Sequence, residues 1–321
     1  MAKDSLRTLN IDSEGPGFSS NMELSIIIPS YNTRKLLVGC LESLYYCTST
    51  LLQNRTEIIV VDNGSTDGTV ANVKSTTQIL KLIENKQNLG FAKAINQGLK
   101  EAKGEYLLLL NSDTVVLNSA IEKMVEYLKN HKEAGVVGCQ LIKADGSIQP
   151  SGGYLPNLLN LAFWMLFLDD LPLVRKIFPA YHVEEKSFYT KKRKLGWVTG
   201  AFFLTRRDVL EKVGTFDEEM FMYVEEIDWC QRVQKAGFSV VFNPSAGVIH
   251  YQGASAKKGK AGILEEYQGL EYYFKKHKPY YQLFILKFLL RIGSLARIFI
   301  FGIILKDPEA RRIYAKAYRL V

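Results

Sequence analysis

The chain has 321 residues, of which 47% are hydrophobic, and it carries a formal net charge of +8 with a pI near 9.1. This length and apolar content suffice for one large domain or a domain and a half. A basic balance suits nucleic acids, anionic membrane surfaces or phosphate-bearing small molecules. The sequence contains neither paired zinc ligands nor an RNP-type motif, so we expect no nucleic-acid partner.

The cysteines and the N-terminus indicate the compartment. The four cysteines are scattered without metal-ligand spacing, which fits a reducing environment. Residues 1–21 are polar and lack the apolar core of an export signal, so we interpret them as a flexible tail. These features together favour a cytoplasmic location.

The first half of the chain alternates short apolar runs with helical patterns. Apolar residues at helical spacing predict helices over 34–47, 88–103 and 119–130. Short strands that alternate with helices are typical of a parallel sheet covered on both faces. The first strand is expected to end at its proline. The apolar runs predict buried strands at Leu24–Pro29, Glu57–Asp62, Ile79–Ile83, Leu107–Leu110 and Gly135–Cys139.

Two of these strands end on carboxylates. Ligands of open α/β sheets bind outside the carboxyl ends of the strands, which places Asp62 and Asp113 at a functional edge. Asp62 can accept a hydrogen bond from a base or ribose, and Asp113 suits Mg²⁺ or Mn²⁺ on a diphosphate. A plainer alternative makes Asp113 the N-cap of the next helix. The sequence lacks Gly-x-Gly-x-x-Gly after the first strand and lacks a Gly-Lys-Ser/Thr loop, which disfavours dinucleotide enzymes and P-loop kinases.

An acidic cluster begins a helix in the second half. Three acids, among them Glu225 and Glu226, open a predicted helix that spans roughly residues 224–236. Acids in a first turn are often ordinary helix-start charge. Glu226, however, falls at helical spacing between Tyr223 and Trp229, and an aromatic surround raises the pKa of a carboxylate.

Three further segments frame this cluster. Leu158–Leu168 is too short to span a bilayer and is either a buried core helix or a flap that contacts lipid. Leu195–Leu204 is strand-like, with glycines where a ligand can approach. Ser239–Asn243 and Gly247–His250 predict a pair of strands. A lone histidine is usually structural, but His250 stands between an apolar strand and a Gly-rich loop and is a candidate ligand.

Several short segments, each weak alone, occur in a fixed order between residues 24 and 255. They are Ile28-Pro-Ser-Tyr-Asn32, Val60-Val-Asp-Asn-Gly-Ser-Thr-Asp67, Asn88-x-Gly-Phe-Ala-x-Ala-x-Asn96-x-Gly98, Leu110-Asn-Ser-Asp113, Trp197-Val-Thr-Gly-Ala-Phe202, Phe216-Asp217 with Tyr223-Val-Glu-Glu-Ile-Asp-Trp-Cys-x-Arg232, and His250-x-x-Gly253-Ala-Ser255. In this order they resemble the inverting family-2 glycosyltransferases, in particular the rhamnosyltransferase-like branch. The resemblance implies an α/β fold of GT-A type, a Rossmann-like and mostly parallel sheet flanked by helices that binds a nucleotide-diphospho-sugar.

The resemblance also implies roles for individual residues. Glu226 would be the general base, and Asp113 and His250 would hold a divalent metal, Mg²⁺ or Mn²⁺. The family's Asp-x-Asp motif keeps only its last carboxylate here, and its Glu-Asp pair appears as Glu225-Glu226, which leaves open which glutamate acts as the catalytic base. The implied donor-binding residues are Pro29, Tyr31, Asn32, Asp62, Asn88, Gly90, Asn96, Asn111 and Ser112. The implied acceptor-binding residues are Trp197, Gly200 and Ala201.

The C-terminal part differs in character from the catalytic domain, which we place at residues 22–258. Residues 259–321 read as an amphipathic helical region that associates with a membrane. Tyr280–Leu305 is long enough to cross a bilayer, but Lys287, Arg291 and Arg297 interrupt it, and each charge at mid-bilayer costs about 2.5–3.5 kcal/mol. A helix lying in the plane of the membrane fits better. Alternatively, its apolar face packs on the catalytic domain or on a second subunit, so the chain could form an oligomer.

These features predict an inverting, metal-dependent glycosyltransferase bound peripherally to the inner face of the plasma membrane, acting in cell-surface polysaccharide synthesis. The resemblance favours dTDP-L-rhamnose as donor and a glycan or polyprenyl-linked glycan as acceptor. One alternative is a sugar-phosphate nucleotidyltransferase, although the Gly-rich loop with arginine that such enzymes carry after the first strand is missing. Another is a non-catalytic nucleotide-sugar-binding membrane scaffold, which only the incomplete Asp-x-Asp motif favours.

Overall fold

A computed structural model describes residues 22–47, 53–75, 80–251 and 262–321. The predicted tail at residues 1–21, the start of the third predicted strand at Ile79, the Gly253-Ala-Ser255 segment and the predicted domain boundary at 258 lie outside the described residues. The strands are β1 (Leu24–Ser30), β2 (Thr56–Asp62), β3 (Leu80–Glu84), β4 (Tyr106–Leu110), β5 (Thr114–Val116), β6 (Ala134–Ile142), β7 (Ile148–Gln149), β8 (Gly152–Gly153), β9 (Arg193–Leu195), β10 (Trp197–Val198), β11 (Phe202–Arg206) and β12 (Ser239–His250).

Helices alternate with the first strands and then dominate the C-terminal end. They are α1 (Arg34–Cys47), α2 (Thr69–Lys74), α3 (Phe91–Glu101), α4 (Ala120–Asn130), α5 (Leu158–Met165), α6 (Pro172–Ile177), α7 (Arg207–Val213), α8 (Glu225–Lys235), α9 (Gly262–His277), α10 (Tyr280–Arg297) and α11 (Pro308–Leu320). A short 3₁₀ helix covers Lys186–Thr190, and a π-helix, Ile298–Ile304, continues α10.

The central sheet is mixed but mostly parallel, as predicted. Its strands follow the order β3-β2-β1-β4-β11-β6-β12-β5. The first four strands pair in parallel, and so do β6 and β12, whereas β11 runs antiparallel to both of its neighbours. The carboxyl ends of β1 and β4 therefore lie side by side, and the segments that follow them meet at one edge of the sheet.

Apolar side chains alternate between the two faces of the sheet. In β1, Ile27 packs with α3 on one face, while Ile26 and Ile28 pack with α1 and α4 on the other. All five residues of β4 are buried, as expected for a strand covered on both faces. Each fully buried leucine or isoleucine contributes about 1.5–3 kcal/mol, so this double-sided burial stabilises the edge that carries the functional residues.

Two sequence predictions need correction. Pro29 does not end β1, because it pairs in register with Val61 and the strand continues to Ser30. The predicted strand pair in 239–250 is one strand, β12, with a register shift against β6 between Asn243 and Gly247. A bulge absorbs Pro244, which has no N–H to donate to the ladder, and lets the strand run on to His250.

The C-terminal helices pack on the catalytic part of the chain. Tyr267, Leu270, Tyr273 and Phe274 of α9 are fully buried and belong to the main hydrophobic core. Lys287 of α10 pairs with Glu271 of α9. Within the described ranges, every helix falls short of the length and apolar character that crossing a membrane requires.

Candidate active site

A cavity of about 790 Å³ opens at the carboxyl edge of β1 and β4. It collects side chains from the strand ends, the start of α8, the end of β12 and the irregular segment before β9. Most of the residues that the sequence singled out line it: Pro29, Tyr31, Asn88, Asn111, Ser112, Asp113, Trp197, Gly200, Ala201, Glu225, Glu226 and His250.

Hydroxyl groups tie the two neighbouring strand ends together. The hydroxyls of Ser30 and Thr33 are hydrogen-bonded at 2.9 Å, and Thr33 is hydrogen-bonded at 2.9 Å to the hydroxyl of Ser112. All three side chains are buried. The chain therefore enters the cavity from β1 and from β4 at a fixed spacing.

Asp62 ends β2 beside this edge but does not line the cavity. Its Oδ2 accepts hydrogen bonds from the backbone N–H groups of Ser65 (2.9 Å) and Gly64 (3.2 Å), which closes the turn after the strand. Its Oδ1 is buried and has no hydrogen-bond partner among the described residues. This oxygen remains available to a donor group of a bound ligand.

Asn63, which the sequence analysis overlooked, organises the donor side of the cavity. Its Nδ2 donates to Asn88 Oδ1 (2.9 Å) and to the Gly90 carbonyl (3.1 Å), and its Oδ1 accepts from the Leu89 N–H (3.1 Å). Its position directly after Asp62, at the end of a buried strand, is the feature of the sequence that could have identified Asn63 as a site residue. One asparagine thus holds the loop that carries Asn88 against the strand tip.

Asp113 and His250 face each other across an antiparallel pair of strands. Thr114 of β5 pairs with His250 of β12, and His250 Nε2 lies 3.2 Å from Asp113 Oδ1. Gln149 lies within 3.1 Å of His250 Nδ1 through Nε2 and 3.3 Å through Oε1, so it can fix the ring orientation. Both side chains are buried, and Asp113 Oδ1 accepts no hydrogen bond from the part of the chain that the structure describes.

These two side chains fit a small divalent cation. Mg²⁺ keeps several waters and is bound by one or two protein carboxylates together with substrate phosphates. Two converging protein ligands, Asp113 and His250, match this mode of binding. The described residues contain no group of three or more acidic, histidine or cysteine side chains that could hold a metal. The remaining coordination positions would fall to the diphosphate of a ligand and to water.

The turn before α8 is strained. Tyr223 and Val224 adopt left-handed backbone conformations, with φ of 66° and 69°, immediately ahead of Glu225 and Glu226. A non-glycine residue in this region costs about 1–3 kcal/mol, and a β-branched residue such as Val224 is a clear outlier. Backbone strain of this kind concentrates at functional sites, and here it directs the two glutamates into the cavity.

The predicted aromatic surround of Glu226 is wrong in detail. Because α8 begins at Glu225, Tyr223 precedes the helix and does not share a helical face with Glu226. The Trp229 ring packs in the core, stacked on Phe216 with centroids 5.5 Å apart. Tyr223 still lines the cavity with Glu226, and other segments add further aromatic residues, among them Trp164, Tyr181 and Trp197.

Burial separates the two glutamates in acidity. Burial raises the pKa of Glu226 to about 7, with backbone hydrogen bonding and the neighbouring Glu225 and His182 opposing the rise. Burial and the adjacent Glu226 carboxylate raise the pKa of Glu225 well above its usual range. Glu225 is therefore the weaker acid of the two, and the pKa of Glu226 lies near the pH at which a general base works best.

His182 and Glu266 were not anticipated from the sequence. His182 Nε2 lies 2.7 Å from Glu266 Oε1, and both side chains line the cavity with Glu226. Burial alone would lower the pKa of His182, but the carboxylates of Glu266, Glu184 and Glu226 outweigh it and raise the pKa. His182 lies in an irregular segment and Glu266 lies in α9, far along the chain, so spacing in the sequence gave no signal for either.

Besides Asp62, three predicted donor-binding residues hold loops and do not line the cavity. Asn32 Oδ1 accepts from the Thr66 N–H at 2.8 Å. Gly90 has a φ of 91°, and the Phe221 carbonyl oxygen packs against it so closely that a Cβ at this position would lie only 2.6 Å from that oxygen. Asn96 exchanges two hydrogen bonds with the Phe216 backbone, at 2.9 and 3.0 Å. Each ties a segment of the site to its neighbour.

The sequence matches a known family over more than half its length. The family described as Glycosyl transferase family 2 matches residues 25–214. An N-acetylglucosaminyl-diphospho-decaprenol L-rhamnosyltransferase of Mycobacterium tuberculosis is 28% identical over 262 residues, which cover 78% of this chain and 83% of the relative. Glycosyltransferase GlyG of Streptococcus pneumoniae is 36% identical over 117 residues, which cover 36% of this chain and 37% of the relative.

Solved structures share the fold. The mannosyltransferase PcManGT from Pyrobaculum calidifontis, in complex with GDP-Man and Mn²⁺, superposes with a TM-score of 0.55 at 18% identity, covering 96% of this chain and 83% of the other. S. aureus TarS 1–349, in complex with UDP-GlcNAc, gives a TM-score of 0.56 at 19% identity, covering 92% and 79%. The sheet order, the cavity at the strand ends and the match over residues 25–214 agree, and the chain belongs to glycosyl transferase family 2.

Proposed function

We propose that the protein transfers a sugar, L-rhamnose from dTDP-L-rhamnose, to a hydroxyl of a lipid-linked glycan with inversion at the anomeric carbon. The observation that carries the proposal is Glu226, a half-buried carboxylate with a pKa raised to about 7 in the same cavity as the donor-side strand ends. The choice of donor sugar and of a polyprenyl-linked acceptor is supported by the rhamnosyltransferase relative.

The donor is proposed to lie across the strand ends. Tyr31 and Asn88 line the cavity where a nucleoside would sit, and Asp62 Oδ1 offers an acceptor behind them. Asp113 and His250 are proposed to hold a divalent metal on the diphosphate. Such an ion, when bound, neutralises the negative charge that the leaving nucleoside diphosphate gains.

Glu226 is proposed to take the proton of the acceptor hydroxyl. Inverting transfer needs that hydroxyl to be deprotonated as it attacks the anomeric carbon from the face opposite the leaving group. A carboxylate within about 3 Å of the hydroxyl suffices, and a pKa near the working pH maximises its effect. Glu225, kept protonated by its neighbour, preserves a single negative charge on the pair.

This arrangement favours a transferase over the alternatives. A nucleotidyltransferase would need cationic groups for a triphosphate substrate at the strand ends, where this cavity places Pro29, Tyr31 and asparagines. A non-catalytic scaffold gives no reason for a strained turn that directs two glutamates into the same cavity.

The proposed partner of the C-terminal helices is an anionic membrane surface. The inward face of α10 buries Leu286 and Leu290 together with Ser294 and Arg297, and Arg297 donates to the backbone carbonyls of Met165 and Trp164. The outward side of α10 and of the π-helix segment after it is also apolar. We call this side the apolar surface: Phe284, Phe288, Leu295, Phe299, Ile303, Ile304 and Leu305. A helix that is apolar on its exposed side as well leaves a patch of the kind that marks an interaction site.

Positive charge borders the apolar surface. Arg291 lies exposed among its phenylalanines, and α11 exposes Arg311, Arg312, Lys316 and Arg319. Exposed leucine and isoleucine side chains of α6, such as Leu173 and Ile177, add to the apolar area beside Arg175. Apolar side chains flanked by cations suit anionic lipid better than a protein partner.

A donor screen tests the proposed reaction. Purified full-length protein would be incubated with dTDP-L-rhamnose, UDP-GlcNAc and GDP-mannose, each with Mn²⁺ or with EDTA, and donor hydrolysis and the anomeric configuration of the released sugar would be followed by NMR. We expect hydrolysis of dTDP-L-rhamnose with inversion, and only with the metal. Retention of the anomeric configuration would contradict the proposal. So would release of a sugar phosphate, which would mean that the diphosphate and not the glycosidic bond is cleaved.

A further inference from the structure

The catalytic base sits on a helix that another helix holds in place. One face of α9 runs along the start of α8 and touches it at successive turns. The residues on this face, which we call the inner face of α9, are Gly262, Glu266, Gly269, Tyr273, Lys276 and His277.

At its N-terminal end the inner face meets the strained turn. A Cβ on Gly269 would lie 2.7 Å from Val224 Cγ2, 2.9 Å from Val224 Cβ and 3.1 Å from the Tyr223 carbonyl oxygen. A Cβ on Gly262 would lie 2.7 Å from the Tyr223 hydroxyl. At Gly262 the neighbouring atoms are the tip of the Tyr223 side chain, which can shift, whereas at Gly269 they are the Val224 Cβ and the Tyr223 carbonyl oxygen. The close approach at Gly269 therefore requires a glycine, and it braces two residues whose backbone conformation is unfavourable by itself.

At its C-terminal end the inner face clamps α8 itself. His277 Nε2 lies 2.6 Å and Lys276 Nζ 2.9 Å from the Oδ1 of Asp228, which is fully buried. Tyr273 donates its hydroxyl to Gln231. Between the two ends, Glu266 reaches into the cavity and pairs with His182, so the same face also borders the space in front of Glu226.

We propose that the inner face of α9 positions Glu226, and that Gly269 and Val224 are the contact on which this positioning depends. The proposal rests on the proposed function, because it takes Glu226 as the general base. It assigns the C-terminal region a part in catalysis in addition to membrane attachment. Gly269 and Val224 are positioning residues, since they act through the turn and do not touch the reacting atoms.

Gly269→Ala in the full-length protein tests the contact. The donor that the screen identifies is hydrolysed with water as acceptor, and kcat, donor KM and thermal stability are measured. A displaced base should lower kcat by about 10²-fold while donor KM stays unchanged, because misplacement by about 1 Å has that effect and the donor side is untouched. Gln268→Ala, one residue away on the exposed face of α9, is the matched control and should keep wild-type kcat.

Val224→Gly completes a double-mutant cycle. Glycine at 224 removes both side-chain atoms that an alanine at 269 would strike and also accepts the positive φ. Alone it should lower kcat, because the turn loses its brace. Combined with Gly269→Ala it should match Val224→Gly alone, whereas two independent defects would multiply. If Gly269→Ala does not fold, recovery of folding in the double variant carries the same information.

Two results would overturn the proposal. One is a wild-type kcat in a folded Gly269→Ala protein. The other is a double variant whose loss of kcat equals the product of the losses in Gly269→Ala and Val224→Gly. Glu226→Gln separates this outcome from failure of the proposed function. If Glu226→Gln is inactive while Gly269→Ala is normal, only the role of α9 is wrong. If Glu226→Gln hydrolyses the donor normally, the base assignment itself fails.

Discussion

At the scale of single residues, the acidity of Glu226 depends on neighbours from three separate segments. Burial raises the pKa, the adjacent Glu225 lowers it, Glu266 of α9 raises it, and His182 lowers it. Only the ionised form of Glu226 can accept a proton, so activity should fall as the pH drops through its pKa. The acid side of the pH–rate profile should therefore report the pKa of Glu226.

In His182→Gln, the loss of activity on the acid side of the pH–rate profile is expected to occur at a higher pH. Glutamine keeps a polar partner for Glu266 but removes the positive charge that favours the Glu226 carboxylate, so the pKa of Glu226 rises and activity is lost at a higher pH than in the wild type. The measurement is kcat/KM for donor hydrolysis between pH 5 and pH 9. An unchanged or downward-shifted acid limb would contradict a charged His182 beside the base.

Asp113→Asn and His250→Ala are expected to abolish the metal-dependent part of donor binding. The two side chains converge at 3.2 Å, and removing either leaves a single protein ligand. Calorimetric titration of a nucleoside diphosphate with Mn²⁺ should then give the affinity that the wild type has in EDTA. Gln140→Ala, on the neighbouring strand β6 and outside the cavity lining, serves as the control. Undiminished affinity of the wild type in EDTA would refute the metal site.

At the scale of elements, Asp228 joins α8 to α9. It is fully buried and is held by Arg232, Lys276 and His277. Burial alone would raise the pKa of Asp228, but these partners, His277 first, lower it to about 2. Arg232 lies four residues beyond Asp228 on the same helix, the spacing at which opposite charges pair, and the two side chains are 2.9 Å apart.

Asp228→Asn should destabilise the protein by about 1.5–3 kcal/mol, because the amide keeps the shape of this fully buried side chain but loses its charge-assisted hydrogen bonds. Since the folded pKa lies below the unfolded one, Asp228 contributes stability that is complete above about pH 4 and is lost as the pH falls towards 2. Urea unfolding at pH 7 and at pH 3 measures both effects. Glu84→Gln, which breaks an exposed pair with Lys74, should change stability by less than about 1 kcal/mol; a similarly small loss in Asp228→Asn would contradict the clamp.

The first half of the fold was predictable because its signals are local. Runs such as Leu107–Leu110 are apolar without alternation, which in a chain of this length indicates burial on both faces, and Asp62 and Asp113 follow such runs directly. The family resemblance then assigned roles that spacing alone left open. These two sources identified 12 of the 28 residues that line the cavity.

The remainder depends on contacts between distant segments. Tyr223 and Val224 carry no sequence signal for left-handed backbone, so the helix start and the face that Glu226 presents were misjudged. Glu266 lies on an ordinary polar helical pattern, and only packing of α9 on α8 brings it to His182. Pro244 reads as a strand end unless the bulge that absorbs it is known.

At the scale of the whole molecule, the apolar surface and the site lie on connected elements. Arg297 of α10 donates to the carbonyl of Trp164, a residue of α5 that also lines the cavity. The segment Leu158–Leu168 was predicted either as a core helix or as a flap that contacts lipid. It has one buried face, which includes Leu161 and Met165, and one exposed apolar face, which includes Leu159 and Leu166. Trp164 thus connects the helix that carries the apolar surface with the cavity.

Phe284→Asp combined with Phe288→Asp should release the protein from anionic vesicles. These side chains are 60% and 62% exposed, so folding should be unaffected while the apolar contact with lipid is lost. Co-sedimentation with phosphatidylglycerol-containing and purely zwitterionic vesicles is the measurement, with Tyr46→Asp on α1 as the exposed aromatic control. Equal sedimentation of the double variant would exclude this surface, and a wild-type dimer that the double variant abolishes would assign it to a second copy of the chain.

The measurement that tests the account most directly is donor affinity and turnover in Glu226→Gln. The amide keeps the shape of the side chain but cannot accept the proton, so donor affinity in Mn²⁺ should equal that of the wild type while turnover falls by about 10²–10⁴-fold. Glu225→Gln, at the protonated member of the pair, should retain far more activity. Near-normal turnover in Glu226→Gln, with Glu225→Gln inactive yet still binding donor, would contradict the assignment of Glu226 as the base.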